Sequence, residues 1–185
     1  MYKRQRLPSA RYSTPLHMAV KADSTELVKL LLDSGMDINT PSRDGYTALA
    51  VAPEMYCSLE MFKLLIERGA DVRAGNDSPM KAAAWQHAYG HEDYETVIRL
   101  LASKGSKPRG LVDCAKAGNL KFAQLLIELG ADVNETDEFG FYNIHLGEGH
   151  TALDYCTGAV GDREHPELAE VLRSHGGVLK ADLEP

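Results

Sequence analysis

The sequence predicts an all-α solenoid, in which helix-turn-helix pairs stack in a row. Three observations predict it. The segment RYSTPLHMAVKADSTELVKLLLDSGMDIN from Arg11 and the segment DGYTALAVAPEMYCSLEMFKLLIERGADV from Asp44 are versions of one another, with Thr14 and Thr47 33 residues apart. Three more copies follow: SPMKAAAW from Ser78 with TVIRLLASKGS, RGLVDCAKAGNLKFAQLLIELGADVN from Arg109, and TALDYC from Thr151 with PELAEVLRSHGG. Each copy is a helical hairpin too small to bury its own apolar face, so neighbours must stack to make a core.

The elements of each copy follow from local chemistry. Thr14, Ser78 or Thr151 supplies a hydroxyl that caps a short first helix, and Pro15 and Pro79 take the first helical position, where a missing N–H costs nothing. A second helix starts near Ser24, Ser58, Asn119 or Pro166 and carries apolar runs such as LVKLLL, MFKLLI and FAQLLI. Gly35, Gly69, Gly105, Gly130 and Gly176 stand just past its end, where glycine accepts the left-handed conformation that closes a helix.

TPLHMAV, ELVKLLLDSGMDIN and LLIERGADV resemble the ankyrin repeat, and the resemblance runs from about residue 11 to 177. It implies antiparallel helix pairs with β-hairpin fingers between successive repeats. The repeats span about 11–42, 43–75, 76–107, 108–138 and 148–177, with 139–147 an inserted finger. Residues 1–10 form an N-terminal tail that need not be native, and 178–185 a C-terminal tail. Three departures carry expectations of their own. Pro53 replaces the family's alanine and should stop the first helix of repeat two early. Ser106, Lys107 and Pro108 leave room only for a bare turn between repeats three and four. DEFGFYNIHLGEGH, 137–150, should form an extended aromatic-rich finger.

A net charge of −7, from 20 basic and 27 acidic residues, gives no basic footprint for a phosphate backbone, so nucleic acid is excluded as a partner. No run approaches the roughly 18 apolar residues of a membrane span, and no apolar signal core follows MYKRQR. A cytoplasmic protein is expected. Cys57, Cys114 and Cys156 form no paired framework and are expected to be free thiols. Cys114 and Cys156 align with Ala19 at a tight helix contact, whereas Cys57, in an inter-helix loop, should be more exposed.

Candidate sites are weighed on this frame. His87 and His91 in HAYGHEDYE have the spacing of a helical zinc pair, but Gly90-His91 resembles the family's inter-helix turn, which breaks that spacing. With His145 and His150 they form the alternative, metal-binding reading; a further alternative makes the chain the C-terminal binding part of a larger, truncated enzyme. GEGHTA, 147–152, mimics a dinucleotide loop, yet it lacks a surrounding βαβ unit, and Thr151 is in register with Thr14. His17 sits at the family's TPLH position, which implies a structural imidazole bonded to backbone and threonine. No catalytic signature, metal site or cofactor is expected.

The resemblance implies a non-enzymatic protein–protein interaction module: an adaptor, inhibitor or regulatory partner that grips another protein or peptide with its concave groove and finger tips. Arg43, Tyr46, Met55, Trp85, Gln86, Lys116, Phe141, Tyr142 and His150 are the expected contact residues, aromatic and arginine side chains being enriched at interface hot spots. A monomer is expected unless the N-terminal end is truncated. In that case repeat one, begun without a polar cap, should fray or self-associate.

Overall fold

The computed structural model describes residues 14–88, 94–137, 149–160 and 163–183, without the side chains of 75–78. The chain forms two compact units, Met1–Ala82 and Ala83–Pro185.

In the first unit, helix α1 (Pro15–Lys21) pairs with α2 (Thr25–Asp33), and α3 (Ala48–Val51) with α4 (Leu59–Glu67). The caps are those the sequence predicts: Thr14 accepts from the His17 N–H, Ser24 from Leu27 and Ser58 from Met61. Pro53 does end α3 early. The chain passes into a single 3-10 turn, Pro53–Met55, and leaves it through Tyr56, a non-glycine residue at φ 54°. The core consists of Leu16, Ala19 and Val20 from α1, Ala48–Ala52, and Met61, Phe62 and Leu65 from α4.

Helix α5 (Ala74–Ala88) straddles the boundary between the units. Here the expected Ser78 cap and Pro79 start are corrected, because the helix begins at Ala74 and Pro79 lies inside it. The Asp71 carboxylate takes the Arg73 N–H at 2.9 Å, and its carbonyl takes the Ala74 N–H at 3.2 Å. The turn therefore winds straight into helix, and Pro79 forgoes one backbone hydrogen bond.

The second unit continues with α6 (Tyr94–Ser103), α7 (Leu111–Ala117), α8 (Leu120–Glu128), α9 (Ala152–Cys156), α10 (Pro166–Ser174) and a last turn, α11 (Lys180–Leu183). Asn119 caps α8, and Thr151 caps α9 in a reciprocal box with Asp154. Residues 104–110 form the bare turn expected between repeats three and four.

The fingers correct an expectation. Among the described residues there is no strand, only the isolated bridges Thr136–Thr151 and Thr157–Glu164. The finger between repeats one and two is so short that Ser42 and Tyr46 close it by themselves, the Ser42 N–H donating to the Tyr46 carbonyl at 2.8 Å. What ties a finger to the next repeat is an asparagine. Asn39 donates to the Gly69 carbonyl (3.2 Å) and accepts from the Asp71 N–H (2.8 Å). Asn134 repeats the latch with Gly176 (3.2 Å) and Val178 (2.9 Å). Each asparagine is held by a turn on the aspartate two residues before it, Asp37 or Asp132. The motif DIN or DVN thus encodes a side-chain bridge to backbone one repeat further on.

Candidate functional site

The first helix of each pair carries both the tightest packing and the side chains left over from it. His17 is fully buried; its Nε2 donates to the Tyr46 carbonyl at 2.9 Å, and its Nδ1 lies 2.6 Å from Thr14 Oγ1. A carbonyl can only accept, so Nε2 carries a proton, and burial favours the neutral imidazole. Burial lowers its pKa, partly offset by that backbone bond. This is the structural role the resemblance implies.

The equivalent position of repeat five holds Asp154, and the bond polarity reverses. Its carboxylate accepts from Thr151 N–H (2.7 Å) and from Lys180 N–H (3.1 Å). Repeat four has neither histidine nor threonine there. Instead Glu135, 24 residues beyond the helix start, accepts from the N–H groups of Gly110 (2.7 Å) and Leu111 (2.6 Å). Gly110 stands at φ 115°, and a Cβ there would lie 2.7 Å from the Ala84 Cβ, so only glycine fits. Burial pushes the Glu135 pKa up, against the pull of the two backbone donors and Arg109.

Beside this cap is the most developed polar cluster of the second unit. Asp137, nearly buried, accepts from the Tyr155 hydroxyl, the His150 N–H (2.9 Å) and Lys116 Nζ (3.4 Å). Lys116 Nζ also lies 4.6 Å from the centre of the Tyr155 ring, a cation–π contact, and the His150 ring meets Tyr155 edge-on at 6.0 Å. Asp113, one helical turn before Lys116, makes no hydrogen bond among the described residues. Burial raises its pKa; Lys116 opposes the shift and Asp137 adds to it. Burial and the hydrogen bond to Asp137 push the Tyr155 hydroxyl up as well.

The expected contact residues fall into three groups. Arg43 is exposed, and Tyr46, Met55, Trp85, Lys116 and His150 are half-buried, accessible at the first helices and their turns. Gln86 is a correction: at 3% exposure it is enclosed and leaves no face for a partner. Phe141 and Tyr142 lie outside the described residues. Asp113, Glu135, Asp137 and Tyr155 went unnamed; the register of TALDYC on TPLHMA, which sets Tyr155 beside Asp113 and Met18, is the signal that could have found two of them.

The histidine reading finds little to build on. His87 is 5% exposed, its ring edge-on to Phe122 at 4.3 Å, while His91 and His145 lie outside the described residues. Among the described residues no three of His, Cys, Asp or Glu are grouped to hold a metal ion.

All three thiols are free and buried; Cys57, expected to be more exposed than the other two, is so only slightly, at 7% against 0% and 1%. It donates to the Val20 carbonyl at 3.2 Å, and burial with the nearby Asp23 charge pushes its pKa to about 12. Burial alone raises Cys156 to about 11, and burial with the Asp113 and Glu135 charges raises Cys114 well above the ordinary thiol range. Thiols so shifted are poor nucleophiles.

Repeated helical hairpins, latched by finger asparagines and sealed by capped first helices, define a helical repeat protein. A family profile described as ankyrin repeats in three copies matches residues 3–76, and a single ankyrin repeat matches 111–138. The chain belongs to the ankyrin repeat family, whose repeats generally mediate protein–protein interaction.

Its relatives include the ankyrin repeat and KH domain-containing protein mask-1 of Caenorhabditis elegans, 33% identical over 178 residues, covering 91% of this chain and 6% of the relative. Ankyrin repeat protein 14 of vaccinia virus is 43% identical over 56 residues, 30% of this chain and 24% of its own. Potassium channel AKT1 of Oryza sativa subsp. indica is 37% identical over 86 residues, 44% and 9%. The chain therefore spans less than a quarter of the length of each of these relatives. No helix among the described residues is long and apolar enough to cross a membrane.

Proposed function

We propose that the chain is a non-enzymatic, cytoplasmic and monomeric protein-binding module, serving as an adaptor, inhibitor or regulatory partner. Its partner is another protein or peptide, held on the outer edges of the first helices and on the finger turns. One observation carries this reading. The same helices that bury His17, Ala19 and Val20, or Cys114 and Ala115, keep Lys21 or Lys116 accessible, and the finger turn before α3 does so for Arg43, so those positions can change without cost to the core. Arg43, Tyr46 and Met55 supply contacts in the first unit; Trp85, Lys116 and His150 supply them in the second.

Affinity capture from a lysate of the source cells tests this. Tyr46→Ala with Trp85→Ala should abolish recovery of the partner while the far-ultraviolet helical signal stays unchanged. Arg99→Ala with Lys121→Ala, on the second helices α6 and α8, should leave recovery intact. Loss of the partner from the second pair and not the first would overturn the placement.

A further inference from the structure

The cluster around Asp137 has the composition of a cation receptor. It offers an aromatic face in Tyr155, a nearly buried carboxylate in Asp137, and in Asp113 a second, half-buried carboxylate with no hydrogen bond among the described residues. An ammonium group already occupies it. Lys116 Nζ lies over the Tyr155 ring at 4.6 Å and touches Asp137 at 3.4 Å. That ion-pair distance is long for a charge-assisted contact, and the lysine side chain is still 31% exposed. The chain's own lysine thus fills the site loosely, on a four-carbon stem that can swing into water.

The charge of the whole unit points the same way. Residues 83–185 hold 17 acidic and 9 basic side chains, whereas residues 1–82 hold 10 and 11. The entire negative excess of the protein belongs to the second unit, and such an imbalance steers and selects partners of opposite sign.

We propose that the Asp113–Asp137–Tyr155 cluster is a docking site for a basic protein segment, one of whose arginine or lysine side chains displaces Lys116 from the Tyr155 ring and pairs with both carboxylates. This rests on the protein-binding reading above and narrows it to a partner class and a site. Arginine suits the place better than lysine: its planar fork can stack on the ring while bonding two carboxylates. Lys116 then lies inside the contact surface as a built-in competitor that yields its place to the partner's cation, not as a group that the partner needs. A lysine on the surface of an acidic unit ordinarily either helps nothing or holds a fold contact, but here its removal should improve binding.

The probe is a fluorescein-labelled peptide of alternating arginine and glycine, titrated by fluorescence anisotropy against the full chain, with a glutamate–glycine peptide as control. Lys116→Ala should tighten arginine-peptide binding by about fivefold, a step of roughly the size one well-placed charge contact carries. Lys121→Ala, the same charge change on α8, should alter it less than twofold or so by general electrostatics. Asp113→Asn should weaken binding by about fivefold, and Glu128→Gln, its charge-matched control on α8, far less. Asp113 makes no hydrogen bond among the described residues, so its asparagine variant should keep the native helical signal.

Equal effects of Lys116→Ala and Lys121→Ala, or of Asp113→Asn and Glu128→Gln, would overturn the site. So would free spermine competing as well as an unlabelled arginine peptide of equal charge, since the ligand would then be a polyamine. If the peptide fails to bind while the captured native partner still depends on Tyr46 and Trp85, the basic-segment inference falls and the protein-binding reading stands. Loss of that dependence removes the broader reading instead.

Discussion

The first helix of repeat one and that of repeat four start at equivalent places, and they meet the same need with opposite chemistry. In α1 a hydroxyl and a neutral imidazole do it: the Thr14 hydroxyl accepts the His17 N–H, and the His17 Nε2–H donates to the Tyr46 carbonyl. In α7 a half-buried carboxylate does it, Glu135 accepting two backbone N–H groups from 24 residues downstream. Both satisfy orphan donors that a helix start leaves. Only the second sets an ionisable carboxyl against the helix start. It does so in the unit that already carries the negative excess, so caps that are interchangeable in geometry differ in their electrostatic consequences.

The second helices of the same two repeats differ in burial, and this comparison gives the largest expected effect. Counting from their caps Ser24 and Asn119, Leu27 corresponds to Phe122 and Leu30 to Leu125. Leu27 and Leu30 are 41% and 65% exposed, whereas Phe122 and Leu125 are 1% and 6% exposed. Leu125→Ala should destabilise the second unit by about 2–4 kcal/mol, the range for emptying a packed aliphatic site. Leu30→Ala should change the first by less than about 0.5 kcal/mol, as for most surface substitutions. Hydrogen exchange read peptide by peptide checks both without assuming that the chain unfolds in one step. A large loss at Leu30 would mean that this face is covered.

Next in size is the cap itself. Glu135→Ala leaves two N–H groups without their charged acceptor in a mostly buried place and should cost about 2 kcal/mol. Thr14→Ala removes a hydroxyl cap and should cost about 1 kcal/mol. Exchange at Cys114 and Ala115 reports the former, and exchange at Ala19 and Val20 the latter. If Glu135→Ala proved the milder of the two, water would be reaching the start of α7 and the carboxylate would be dispensable.

The difference in cap type also decides what could be read in advance. Ser24, Ser58, Asn119 and Thr151 were legible because a cap and the N–H it serves lie three residues apart, inside one sequence window. The early stop at Pro53 was legible for the same local reason. Glu135 was not, since its service to Gly110 is visible only after the finger has folded back on the helix. The start of α5 was misplaced because a proline beside a serine imitates a cap, while the actual beginning depends on the turn that Asp71 makes.

Burial of side chains near element ends was the other blind spot. Cys57 and Gln86 sit at loop-like or edge-like positions in the sequence, and the packing of neighbouring helices encloses them. Of the polar cluster, Lys116 and His150 were foreseen from their repeat positions. Asp137 and Tyr155 come together because the bridge between Thr136 and Thr151 sets the end of repeat four beside the start of α9, a pairing no local pattern announces.

The smallest effect separates the caps by the sign of their response to pH. Burial lowers the His17 pKa below 6.5, so its folded form prefers to stay neutral. Below pH 6.5 the unfolded chain binds the proton more readily, and the stability this group lends the first unit is lost as pH falls through that window. Burial raises Glu135 above 4.5 and Asp113 above 3.8, so there the folded form binds protons more readily. Their contribution is fully present below those unfolded values and is lost as pH rises through the raised folded ones. Taking the protein from pH 7 toward pH 5, with exchange rates corrected for the intrinsic effect of pH, should therefore deprotect Ala19 and Val20 in α1. Cys114 and Ala115 in α7 should hold or gain protection over the same interval. His17→Gln should flatten the first response, since an amide keeps a donor for the Tyr46 carbonyl and carries no proton to gain. Asp113→Asn with Glu135→Gln should flatten the second. Parallel changes in α1 and α7, surviving in both sets of variants, would show that the titration belongs to the general charge of the protein and not to the way its helices begin.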